Sequence, residues 1–391
     1  MEEHPMHYTV AAEFSVGLRR EQVAAALAAV QERHPLLQAQ IEDSPGIRLG
    51  FHRPASLPAI DVRLPDKEVT SWPQVVAEEL SRPFDPSRAP LARAVLLSGD
   101  TRSVVLLTVY HCITDGIGAV SLLDDMAAAL DGRRLERLPL PPSQEQAIAN
   151  TLPPLDGARP EQSPTEEDPR LAPCTLRPFD GTLPHVSAMS LDAEHTQQLV
   201  RRCHSEGTTV HGALVSAVSR ARSALNDECF VRVLSPFDLR KRVGGGGACV
   251  DYHGAARTAS EPGDGRSLWE QAREVNSALS GPRSDAGIVA ASTGLQQFVP
   301  ADADNATATA AISAFPYDIL VSNLGVVDCG TAAGAFTPTA VWGPAMLVQV
   351  KGEDVLGVTT HGGRLHMICC GYSPTEALLR TTREILCRES G

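Results

Sequence analysis

The segment 138–184 constrains the fold more than any other feature. It is rich in Pro, Glu, Asp and Ser, as in PPLDGARPEQSPTEEDPR, and carries no sustained hydrophobic period. Such a stretch buries too little apolar surface to form a packed layer, so it reads as a linker. The chain has 391 residues, 43% of them hydrophobic, which is more than one compact core usually holds. Two domains are therefore expected, 1–137 and 185–391, joined by the Pro/acidic linker 138–184. Aromatic residues make up only 4%, and Ala, Leu and Val carry most of the apolar mass. That balance suits helices packed on sheets and gives a mixed α/β fold class.

Periodicity supports this in both halves. An alternating segment 7–16 predicts a strand, and 19–33 predicts a helix with Val23, Leu27 and Val30 on one face. Short strands are expected at 36–41 and 47–51, around the turn Ser44-Pro45-Gly46, and a helix at 72–80. Strands 91–97 and 103–109 flank Ser98-Gly99-Asp100, and the second runs straight into His111-Cys112-Ile113-Thr114-Asp115-Gly116 before a helix over 118–130. The second half opens with a strand at 185–191. Asp192 then caps a helix that stops at Gly207, and Thr209 caps a helix over 210–225. A strand at 229–234 leads to Ser235-Pro236-Phe237-Asp238-Leu239-Arg240. Gly244–Gly247 form a loop without the Lys-Ser/Thr of a phosphate-binding loop. A helix at 267–279, a strand at 318–322, several strands between 335 and 370 and a final helix complete the chain.

A histidine at the end of an apolar strand is held rigidly by the sheet, as proton abstraction requires. A neutral imidazole there can take the proton of a hydroxyl, thiol or amine as it attacks a carbonyl, an effect worth roughly 10²–10⁴-fold. Equally, such a histidine can be a hydrogen-bonded structural residue. Asp115 can orient that imidazole, cap the following helix or pair with a cation, and spacing alone does not choose among these. Gly116 and Gly118 allow close approach to the backbone, and an N–H of this turn can serve an oxyanion. Cys112, next to His111 on an extended strand, should point to the opposite face, which disfavours a Cys-His pair. No third ligand is apparent beside His111 and Asp115, so no metal is expected.

The formal charge of −13 and pI near 5.4 argue against nucleic acid or an anionic membrane as the main partner. Only Lys67, Lys241 and Lys351 are lysines, so anion contacts would fall mostly to arginine. Nine cysteines without a CxxC pair suggest a reducing cytoplasm, and MEEHPMHYTV lacks the pattern of an export signal. The longest strongly apolar run, near 104–109, is too short to span a bilayer.

HCITDG followed by IGAVSLLDDM resembles the HxxxDG motif and following helix of the chloramphenicol acetyltransferase-like superfamily, which includes condensation domains. RHPLL at 33–37, FDPSRAPLARAVLL at 84–97, GTTVHGALVSAVSRA at 207–221 and VSNLG at 321–325 extend the resemblance to Pap-type polyketide-associated acyltransferases and alcohol acetyltransferases. This resemblance implies two chloramphenicol acetyltransferase-like domains in a V, with mixed sheets flanked by helices and an active-site tunnel between them. It also implies acyl transfer from a thioester, on coenzyme A or on the phosphopantetheine of an acyl carrier protein, to a hydroxyl or amine of a small-molecule or carrier-bound acceptor in specialised metabolism. His111 would be the general base, Asp115 a structural partner of Arg240, and Asn323 a tunnel residue. Gly116 and Tyr110 complete the candidate oxyanion and substrate contacts. Tyr110 stands where condensation domains usually carry a first histidine, and no DFGWG follows VSNLG, as it would in plant BAHD enzymes. No bound cofactor is expected, and two domains in one chain can complete the site as a monomer. The competing expectation is a non-catalytic condensation-like module that recruits a carrier protein or tailoring enzyme. If the donor is held on an acidic carrier protein, Arg201, Arg202, Arg240 and Arg242 are the candidate arginine contacts.

Overall fold

The strand His7–Phe14 is buried at nearly every position because it runs through the middle of a sheet covered on both faces. A computed structural model of the chain describes residues 5–42, 49–65, 71–154, 172–300, 303–330 and 334–391. Its first sheet has the order Ala340–Met346, His7–Phe14, Ser103–Tyr110, Ala92–Ser98, Val62–Arg63. The second has the order His185–Leu191, Arg364–Gly371, Asp354–His361, Ile319–Val326, Val231–Asp238, His253–Ser260. Both sheets mix parallel and antiparallel neighbours and are flanked by helices. The expected mixed α/β class, with two mixed sheets flanked by helices, is what the chain adopts.

The strand Ala340–Met346 departs from the expected division of the chain. It lies within 185–391 but pairs antiparallel with His7–Phe14, placing Ala345 opposite Thr9. The second half therefore completes the sheet of the first. All of its residues are buried, so no polar-out alternation marks which sheet it joins.

Several expectations shift locally. Where a strand was expected at 36–41, Pro35 opens a short 3-10 helix, Pro35–Gln38, and the strand is only Gln40–Glu42. The turn Ser44-Pro45-Gly46 and the linker core 155–171 lie outside the described residues. The linker's first part contains a capped helix, Gln144–Thr151, and its last part bridges to Val350 through Leu176. Helices Asp285–Phe298 and Asn305–Ser313 escaped the periodicity reading, although Ser284 and Asp304 cap them in the ordinary way. Asp192 and Thr209 cap their helices as expected, and Gly207 adopts a left-handed φ of 64°. Among the described residues no helix is long and apolar enough to cross a membrane.

Candidate active site

The strand Ser103–Tyr110 carries the chain into the sheet's interior edge, and His111–Ile113 follows as one 3-10 turn. The His111 N–H donates to the Met6 carbonyl (2.8 Å), which fixes the backbone at the histidine. The ring packs edge-on to Tyr8, with centroids 5.0 Å apart, and its side chain is 14% exposed.

Asp115 is the N-cap of the helix Gly116–Leu130, accepting from Gly118 N–H at 2.9 Å. Its other oxygen, Oδ2, accepts from Arg240 Nη1 at 2.7 Å and from Tyr252 N–H at 2.8 Å. Arg240 also donates to Asp238 (2.9 Å) and to the Val250 carbonyl (2.7 Å). Both partners of the pair are buried. Burial works against the guanidinium charge, but the Asp115 and Asp238 bonds outweigh it and hold the Arg240 pKa above its ordinary value. Two of the three roles open to Asp115, helix cap and ion-pair partner, are thus filled at once.

Imidazole orientation falls to a different carboxylate. Asp251 Oδ2 lies 3.3 Å from His111 Nδ1, and Asp251 Oδ1 lies 2.5 Å from His253 Nδ1. A carboxylate facing Nδ1 keeps the proton on that nitrogen and leaves Nε2 as the basic atom. Burial alone would raise the Asp251 carboxyl, but His253 and His111 hold it far below the usual carboxylate range. Burial likewise disfavours charge on His253, yet Asp251 prevails and holds this imidazole up at about 9.

Four contacts tie 249–253 to the first half, two of them to the histidine motif itself. Cys249 N–H donates to His34 Nδ1 (3.1 Å), and Cys249 Sγ contacts the Ile113 carbonyl (3.4 Å). Tyr252 N–H reaches Asp115, and Tyr252 Oη donates to the Pro142 carbonyl (2.7 Å). His34 is set in turn by Asp125, 2.7 Å from its Nε2, which Arg33 also binds. The Arg33-His34 pair of RHPLL therefore acts at the junction of the halves.

That junction encloses a cavity of about 1220 Å³. Cys112, Asp251 and His253 are among the residues lining it, and Leu36, Leu234, Phe237, Ile288, Leu295 and Ile312 supply apolar walls from both halves. Cys112 sits in the 3-10 turn rather than on an extended strand and lines this cavity, whereas His111 is not among the lining residues. Burial, reinforced by Asp251, pushes its thiol well above the ordinary range, so it remains a poor nucleophile.

Ligand atoms of His111, Asp251 and His253 all lie within 4.8 Å of one another, so the fold gathers two potential ligands beside His111 that were not apparent in the sequence, and Asp115 is not one of them. The carboxylate already faces a ring nitrogen on either side, so the three groups satisfy one another, and we assign no metal to them.

Residues 1–148 match the family described as "Condensation domain", and residues 180–332 match "Phthiocerol/phthiodiolone dimycocerosyl transferase C-terminus". The fold is similar over 98% of the chain, and 94% of the other, to polyketide synthase associated protein 5 from Mycobacterium tuberculosis, with a TM-score of 0.65 and 17% identity. The first condensation domain of the CDA synthetase superposes with a TM-score of 0.64 at 14% identity, covering 98% of this chain and 90% of that one. This chain is a condensation-domain protein with a PapA-type C-terminal half. Curated relatives include tyrocidine synthase 3 from Brevibacillus parabrevis, 30% identical over 33% of this chain. A linear gramicidin synthase from the same organism is 27% identical over 54% of the chain. The matched regions cover only 2% and 3% of those two proteins. Condensation-domain and PapA acyltransferases are typically enzymes that use thioester-bound donors.

Within this condensation-domain fold the other candidate residues take different positions. Tyr110 is buried, edge-on to Phe84 at 6.0 Å, and is not among the residues lining the cavity. Burial pushes its phenol up to about 12, so it stays protonated. Asn323 is also outside the cavity lining, and its Oδ1 accepts from Gly325 N–H at 2.9 Å, closing a turn. Its neighbour Leu324 presses on Gly116, where an added Cβ would lie 2.8 Å from a Leu324 methyl. The close approach expected at Gly116 is thus made by the protein itself. Arg240 is too buried for a docking patch, while Arg202 and Arg242 are paired with Glu206 and Asp285.

Asp251 and His253 were missed in the sequence. The available signal was Asp251-Tyr252-His253, a carboxylate and an imidazole two residues apart, the second of which opens a strand. Nothing local tied that spacing to His111.

Proposed function

We propose that the chain transfers an acyl group from a thioester of coenzyme A or carrier-bound phosphopantetheine to a hydroxyl or amine acceptor. The observation that carries this reading is His111 with Asp251 at its Nδ1, where Asp251 and the adjoining Cys112 line a large cavity formed jointly by the two halves, although His111 itself is not among the lining residues. His111 Nε2 takes the acceptor's proton as the acceptor attacks the thioester carbonyl. The tetrahedral intermediate then expels the thiol without a covalent acyl-enzyme. The helix Gly116–Leu130 begins at the motif, and the N–H groups of Gly116 and Ile117 lie outside its internal ladder. These donors, with the positive end of the helix, suit the developing oxyanion. Asp115 and Arg240 act by joining the halves.

Purified protein assayed with acyl thioesters and alcohol or amine acceptors tests the proposal. His111→Ala should fold normally and lose roughly 10²–10⁴-fold in turnover. Undiminished turnover would remove His111 from the chemistry. Binding of a loaded carrier protein without product across a broad acceptor panel would instead establish a recruiting module.

A further inference from the structure

Asp251 serves two imidazoles, and only one of them is used by the base step. The ring centroids of His111 and His253 are 5.3 Å apart, with the carboxylate between their Nδ1 atoms. A single carboxylate neutralises a single imidazolium, and the second ring beside it is then neutral. The closer contact is to His253, which places the cation there and leaves His111 as the base. Two further charges act on His253: Asp115 favours its protonation and Arg240 opposes it. With Nδ1–H engaged by Asp251, the donor left to His253 is Nε2–H. His253 and Asp251 both line the cavity.

We propose that His253 is a second catalytic residue, which protonates the thiolate as it leaves, with Asp251 as the shared partner that keeps acid and base distinct. This step rests on the acyl-transfer reading. As the acceptor oxygen or nitrogen bonds to the carbonyl carbon, its proton passes to His111 Nε2. On collapse the C–S bond breaks, its electron pair stays on sulfur, and the His253 Nε2 proton joins that sulfur to give the free thiol. His111 now holds one extra proton and His253 lacks one, and transfer between the rings through cavity water restores the starting state. No other reactant is consumed.

Octanoyl thioesters of N-acetylcysteamine and of thiophenol, with 1-octanol as acceptor, isolate this role. The aryl thiolate is a much weaker base and leaves unaided, whereas the alkyl thiolate benefits from an acid. His253→Gln should lower turnover of the alkyl thioester by about 10²-fold and that of the aryl thioester by no more than about threefold. Equal losses with both would overturn the proposal and make His253 structural. A second measurement is independent of turnover: histidine-selective carbon-13 NMR on EDTA-treated protein. The His253 ring should be protonated at neutral pH, lose its proton near 9, and titrate lower in Asp251→Asn. A wild-type His253 that is neutral at pH 7 overturns the proposal, whatever the variants do. The two levels fail separately. Full activity in His111→Ala refutes the base alone, while a wild-type protein that acylates nothing from any thioester refutes the transfer and this step with it.

Discussion

Replacing Asp115 by Asn tests whether the two halves are held together at the motif. Asn keeps an oxygen for Gly118 N–H, so most of the helix cap survives. What disappears is Oδ2: an amide nitrogen there cannot accept from Arg240 or from Tyr252 N–H, and the charge facing Arg240 is lost at a site where both side chains are almost sealed from solvent, 6% and 7% exposed. Removing one partner of such a pair costs about 3–5 kcal/mol, because the other charge stays buried. Asp238, 27% exposed and bonded to the same guanidinium nitrogen, still offsets part of that charge. The expected loss is therefore at the low end, about 3 kcal/mol. With an unfolding entropy of about 2.1 cal/mol/K per residue, 391 residues unfolding as one unit convert this to a fall in Tm of roughly 4 °C. Calorimetry and urea unfolding of both proteins measure it. Turnover should fall as well, because Tyr252 hangs from the same Asp115 oxygen and carries Asp251 and His253 beside it. A variant as stable as wild type but slow in chemistry would refute the reasoning, since Asp115 would then be acting on the reaction directly.

The remaining predictions concern the same junction. Gly118→Ala puts a methyl 2.1 Å from Thr114 Oγ1 and 3.3 Å from Arg240 Nη2, and should destabilise by about 1–3 kcal/mol in urea unfolding. Cys112→Ser should retain turnover within about threefold, and wild-type Cys112 should alkylate slowly at pH 7 by mass spectrometry, because its thiol is held protonated. Ala291→Trp, on a cavity-lining position, should lower kcat/KM for an octanoyl thioester by about tenfold or more while sparing an acetyl thioester; equal losses would place the acyl chain elsewhere. For His253, whose folded pKa of about 9 exceeds the ordinary 6.5, the Asp251 pair contributes stability that is complete below 6.5 and is lost as pH rises through 9. The stability gap between wild type and Asp251→Asn should accordingly narrow over that window.

Much of the architecture was legible because its signals are local. Trp72–Leu80 and His185–Leu191 fall where apolar spacing puts them, and Asp192 and Thr209 act on N–H groups three residues away. The 3-10 turn Pro35–Gln38 was misread as strand because four apolar or amide residues carry no period of their own. Tyr110 entered the candidate site through the family resemblance; it ends the strand, whereas His111 begins the 3-10 turn, and neither is among the residues lining the cavity.

By itself the sequence determined two halves of strands and helices, a histidine at the end of an apolar strand, and an aspartate positioned to cap the helix that follows. These depend on residues a few positions apart, where backbone geometry dictates who meets whom. Only the tertiary structure decided that Ala340–Met346 completes the first sheet and that Asp251, 140 positions beyond His111, faces its ring together with His253. Contacts at that separation depend on how the two halves pack, and no spacing rule connects their residues. Asp115 was expected to be the motif's partner for Arg240, and it is. The carboxylate that faces the histidine comes from the opposite half, through a segment held by His34, Ile113, Asp115 and Pro142.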